Sequence, residues 1–179
     1  HNEDFDLVIP SLIKIFDKYP HVYLKIAGIL DVPDILEPYK DRIITSGFVD
    51  WRELPMVMAE CSIALAPLVD TIFNRAKSEN KWIEAALVKV PIIASEVGAF
   101  SEKVQDGSTG ILVKNTDKEW FKAMDLLVSD KSLRDSISNR AYNEVTRNCS
   151  TVYTGYNIAS FIRERLARNI GFVLPSTDI

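Results

Sequence analysis

Only two cysteines and two histidines occur in 179 residues. Cys61 and Cys149 stand far apart, and neither shares a metal-type spacing with His1 or His21. That pattern excludes a zinc-finger or zinc-ribbon scaffold and a disulfide-stapled one. The two thiols are expected to be free and buried, in a reducing compartment. No apolar run approaches the ~18 residues that mark a membrane span. The opening His-Asn-Glu-Asp-Phe-Asp has neither the basic nor the apolar region of a secretory leader. Asn148-Cys149-Ser150 matches a glycosylation acceptor, but without a leader it reads as chance. Basic excess is missing too: 21 Lys and Arg against 25 Asp and Glu leave a net charge of −4. Nucleic acid is therefore not expected as a partner, because neutralising its backbone needs a basic face. A small anion needs only a local lysine cluster. No Gly-x-Gly-x-x-Gly follows any expected strand, which argues against a dinucleotide-binding dehydrogenase. There are no internal repeats and no low-complexity tracts.

The composition is 47% hydrophobic and 26% charged, enough for one domain with a real core. Phe5, Val8, Leu12, Ile15 and Phe16 recur at helical spacing, so residues 4–19 read as an amphipathic helix that Pro10 delays or kinks and Pro20 stops. Residues 22–27 read as a strand ended by Gly28. Residues 31–39 carry two prolines and read as a loop with at most a short helix. Residues 42–46 form a short strand closed by Gly47. Asp50 suits a helix cap, with Glu53 three residues on, and Trp51, Leu54, Met58 and Cys61 give that helix a buried face. Residues 62–66 are an apolar strand ended by Pro67, and a long polar loop follows to Lys77. Residues 91–95 are another buried strand, 100–105 a helical turn, and Ile111–Val113 the last strand. From Asp117 onward three helices are expected, the third ending near Gly171, with a tail or linker over 172–179. Strands alternating with helices argue for an α/β fold. A doubly wound parallel sheet is expected, with helices on both faces and the C-terminal helices packed on one side.

Such sheets bind ligands outside the carboxyl ends of their strands, and the stretch from Phe73 to Gly110 supplies the unusual loops there. Ser78 is placed to cap a helix running to Val88, with Lys77 and Lys81 bracketing it. Free N–H groups at a helix start beside two ammonium groups make a seat for phosphate. Glu84, one turn beyond Lys81, can accept from a sugar or ribose hydroxyl pair; alone, it could equally be a solvated carboxylate. Asn74 either touches a ligand or fixes the loop. Phe73 reads as a core anchor, Gly98 as a tight-turn residue, and Trp51, Trp82 and Trp120 as core.

Gly47-Phe48-Val49, Leu54 to Pro67, Lys81-Trp82-Ile83-Glu84-Ala85, Val90 to Ser95, Val97-Gly98, Glu102, Asp106-Gly107 and Thr109 to Val113 occur in that order. Together they resemble the C-terminal donor-binding domain of GT-B glycosyltransferases of the family-four type. The resemblance covers most of the chain. It implies a Rossmann-like domain over 1–171 that binds a nucleotide-diphosphate sugar as donor substrate, with no separate cofactor and no metal. It implies that Glu84 holds the ribose hydroxyls. Lys77, Ser78, Glu79, Asn80 and Lys81, with Asn74, would hold the diphosphate and donor sugar, and Gly28, Phe48 and Val49 would line the base pocket. No catalytic residue is assigned. The implied reaction is retaining transfer to a glycan or lipid-linked acceptor, on the cytoplasmic side or at the inner membrane face, with room for peripheral membrane contact.

Two positions depart from the family. A second glutamate expected eight residues before Glu84 is Ala76, and a Lys-Gly pair expected at the first helix is Glu3-Asp4. Carboxylates there would repel phosphate, leaving the basic role to Arg75, Lys77, Lys81 or His1. The family's domain also opens with a central strand that would end where His1 stands, and its acceptor domain precedes that. The chain is therefore expected to be the donor half of a larger enzyme, inactive alone. The alternatives are a nucleotide-sugar epimerase of the same fold and a degenerate binding module.

Overall fold

Pro10 sets the first feature of the fold. A computed structural model, which describes residues 2–170, divides the N-terminal amphipathic stretch into α1 (Asn2–Asp6) and α2 (Ile9–Lys18). Pro10 lies in the first turn of α2, where its missing N–H costs no hydrogen bond. His1 and the expected tail over 172–179 fall outside the described residues.

The strands are β1 (Leu24–Ile26), β2 (Ile43–Thr45), β3 (Ala64–Ala66), β4 (Ile92–Ser95) and β5 (Ile111–Val113). All pair in parallel, as the alternation of strands and helices implies. The ladders form two pieces, β1–β2 and β3–β4–β5, rather than one continuous sheet. Between β1 and β2 the expected loop is a 3-10 helix, Asp34–Arg42. It runs straight through Pro38, and its one fully buried residue is Leu36.

The helices after β2 are α3 (Leu54–Ala59), α4 (Ile72–Arg75), α5 (Asn80–Leu87), α6 (Ala99–Lys103), α7 (Asp117–Ser129), α8 (Lys131–Asn148) and α9 (Thr151–Ile170). Strand β4 is buried along its whole length, and its alternation divides the core. Ile93 joins α2, Trp120, Met124 and Leu127 on one face. Ile92 and Ala94 join Trp82, Ala85 and Ala86 of α5 on the other. Helices thus cover both faces. Helix α7 packs with α2 in the first core, while α8 bridges the two, with Ile137 in one and Ala141 and Val145 in the other.

Three local expectations fail for identifiable reasons. Pro55 sits in the first turn of α3 and moves its start to Leu54, so Trp51 falls on the preceding turn. Trp51 is 71% exposed, with the Arg52 guanidinium over its ring, and is not core. Phe73 is likewise exposed, because Thr71 caps α4 and turns that short helix outward from the end of β3. Ser78 does not cap a helix: α5 begins at Asn80 with Glu79 in the cap position, and no side chain makes a capping bond there. Trp82 and Trp120 are buried as expected.

Candidate functional site

The loops at the carboxyl ends of β3 and β4 meet through a glycine. Gly98 has φ +55°, and a Cβ there would lie 2.8 Å from the Arg75 carbonyl oxygen. Only glycine admits that approach, which seats the loop before α6 against the end of α4. The polar segment after α4 then leads through Lys77 and Ser78 into α5. Trp82, Ala85 and Ala86 bury the opposite face of α5, and the Trp82 indole N–H donates to the Thr109 carbonyl at 2.9 Å. The buried face fixes the helix, so the other face is free to carry chemistry.

Lys81 and Glu84 stand on that exposed face, one turn apart. Lys81 is exposed as a residue, yet desolvation around its ammonium and the neighbouring Lys77 push its pKa below the usual lysine value. Asp4 and Glu84 pull it back up. Two ammonium groups close enough to disfavour each other are the arrangement that a di-anion relieves. Ser78 and Asn80 are exposed at the entry to α5, and Glu79 is half-buried.

Asn74 is buried, and its amide is engaged inside the loop: Nδ2 donates to Asp4 Oδ1 and to the Val69 carbonyl, both at 2.8 Å. Of its two sequence readings, the loop-fixing one has geometry behind it. Asp4 is the residue that sequence reasoning missed. Its charge suggests a carboxylate that repels phosphate, but it is 8% exposed and accepts from the Val69 N–H at 2.8 Å. The available signal was its place in the helical pattern beside Phe5, on the side that meets the core.

Gly28 and Phe48-Val49 follow β1 and β2 in the other sheet piece. Gly28 (φ +110°) donates its N–H to the Gly47 carbonyl at 2.6 Å, which ties the two loops together. Phe48 is 86% exposed and Val49 half-buried. Both sets of predicted residues therefore lie at the carboxyl ends of parallel strands. No described helix is long and apolar enough to cross a membrane. No cluster of three or more His, Cys, Asp or Glu suited to a metal occurs among the described residues. Cys61 and Cys149 are free and half-buried, and burial raises both thiol pKa values.

Several known proteins are similar to this chain. An uncharacterized 41.2 kDa protein in the cps region of Klebsiella pneumoniae is 32% identical over 108 residues, covering 60% of this chain and 28% of that protein. The crystal structure of Anabaena Alr3699/HepE in complex with UDP superposes with a TM-score of 0.72 at 18% identity, covering 88% of this chain and 44% of that one. The C-terminal domain of a glycosyl transferase group 1 family protein, LpcC from Francisella tularensis, superposes with a TM-score of 0.63 at 23% identity, covering 83% and 80%. The chain thus spans less than a third of the curated relative. The model of the family described as glycosyl transferases group 1 matches residues 1–130, and with most of its length inside that match the chain belongs to this family.

Proposed function

We propose that this chain is the donor-binding half of a glycosyltransferase and takes a nucleoside-diphosphate sugar. The observation that carries the reading is the grouping of Lys77, Lys81 and Glu84 at the entry to and on the free face of α5, beyond the end of β3. In this reading Lys77 and Lys81 take the diphosphate, and Glu84 accepts from the ribose hydroxyls. The loops of Gly28 and Phe48-Val49 face the base. Ser78, Glu79 and Asn80 border the sugar and phosphate, and Asn74 acts from behind by shaping the loop. The departing diphosphate is stabilised by the lysines and backbone N–H groups rather than by a metal. Transfer is retaining, to a glycan or lipid-linked acceptor.

The two-piece sheet supports a further strand between β1 and β3 in the longer protein, giving a single sheet whose crevice lies between the two loop sets. The acceptor half would close that crevice, and the 44% coverage of the HepE structure supports such a further part. Family membership favours transfer over epimerisation. A melting-temperature screen with UDP, GDP and dTDP tests the reading, because a ligand that binds the folded state raises the midpoint. One of the three, UDP first, is expected to do so; no shift from any at millimolar concentration would contradict it.

A further inference from the structure

The segment that leaves β3 is fastened by side chains instead of a backbone ladder. The Leu68 N–H donates to Ser95 Oγ at 2.8 Å, and the Leu68 carbonyl accepts from Asn115 Nδ2 at 2.7 Å. Ser95 Oγ donates to Asn115 Oδ1 at 2.7 Å, so the two hold each other. At the next residue, the Val69 N–H donates to Asp4 Oδ1 and the Val69 carbonyl accepts from Asn74 Nδ2, both at 2.8 Å. Asn74 Nδ2 also donates to Asp4 Oδ1 at 2.8 Å, and Lys77 Nζ lies 3.5 Å from Asp4 Oδ2. Side chains from α1, α4, the end of β4 and the run after β5 thus satisfy the backbone groups of residues 68 and 69. A backbone pinned this way has little freedom left.

Asp4 is the charged member of the clamp. Asp4 Oδ1 accepts from both the Val69 N–H and Asn74 Nδ2, and Oδ2 faces the Lys77 ammonium, so removing the side chain past Cβ takes away all three contacts. A buried carboxylate is costly unless donors surround it, and Val69, Asn74 and Lys77 supply donors to it from the segment that carries Lys77.

We propose that Asp4 is a positioning residue of the diphosphate site, fixing through Val69 and Asn74 the loop that presents Lys77. The inference rests on the donor-binding reading above. It opposes the simple electrostatic view, in which a carboxylate near the lysines repels phosphate and its neutralisation tightens binding. Positioning gives the opposite sign: removing the Asp4 carboxylate frees the loop and weakens diphosphate recognition, while the base and ribose contacts on other elements stay.

In the full-length protein, Asp4→Ala is expected to weaken UDP at least tenfold by calorimetry and to leave uridine affinity, titrated by NMR, unchanged. It is also expected to speed amide hydrogen exchange from Val69 to Lys77. Asn74→Ala keeps the Asp4 charge and is expected to give the same diphosphate-selective loss, so it decides alone if Asp4→Ala does not fold. Equal or tighter UDP binding in the variants overturns the inference. So does an equal loss for UDP and uridine, which would mark general damage. A wild-type protein that binds none of UDP, GDP and dTDP overturns the donor reading and this inference with it. Wild-type binding that the variants leave unchanged overturns the inference alone.

Discussion

Gly98 shows how much a single residue constrains the site. Its positive φ and the Arg75 backbone against its α-carbon exclude any side chain. Gly98→Ala is expected to lower folding stability by about 1–3 kcal/mol and to weaken nucleotide binding by displacing the end of α4. A urea titration that leaves the midpoint unchanged would contradict this. The turn role of Gly98 was readable from sequence; the contact with Arg75 was not, because the two residues meet only after β3 and β4 pair. Asp4 is the reverse case. Charge alone suggested repulsion, and only the fold places it under the loop, with Val69 and Asn74 as donors. Ser78 carried a good capping side chain, but the turn through Ala76 and Lys77 delays α5 by one residue and leaves the cap position to Glu79.

At the scale of elements, apolar periodicity located the helices well where one face meets the core. It said nothing of the polar ties between them. Helix α2 is tied to α7 by Lys14 with Asp117 and by Lys18 with Asp125 at 2.6 Å. The Ser11 hydroxyl lies 2.8 Å from both the Asp117 carbonyl and Oδ1, and the Tyr19 hydroxyl donates to Asp125 at 2.7 Å. Bonding to Lys14, then to Ser11, holds the Asp117 pKa below its ordinary 3.8. Lys18, then Tyr19, does the same for Asp125. A carboxylate with a lowered folded-state pKa stabilises the fold above its unfolded value, and that stability is lost as pH falls through the lowered value. The double variant Asp117→Asn, Asp125→Asn is therefore expected to be less stable than the wild type near neutral pH. The gap should shrink as pH drops below 3.8. Denaturant midpoints across that range check it, and a constant gap would contradict it. The 3-10 helix through Pro38 runs longer than the short helix the two prolines allowed, because its support, Leu36 buried in the core with α2, is tertiary.

For the whole molecule, the parallel α/β class was legible because alternating strands and helices with Gly-punctuated loops report topology directly. The division into two sheet pieces was not, since ladder pairing depends on strands that are adjacent in space rather than in sequence. Because the chain covers 44% of the HepE structure, the proposed donor half is expected to bind nucleoside diphosphate but to transfer no sugar on its own. A radiolabelled donor assay showing turnover by residues 1–179 alone would contradict that. The central claim is that Glu84, on the free face of α5, grips the ribose of a nucleoside diphosphate. Titration calorimetry of UDP into the wild type and Glu84→Ala tests it most directly. Losing charge-assisted hydrogen bonds worth about 1.5–3 kcal/mol predicts a roughly 10- to 100-fold weaker Kd with an unchanged melting temperature. Equal affinity in the two proteins would contradict it.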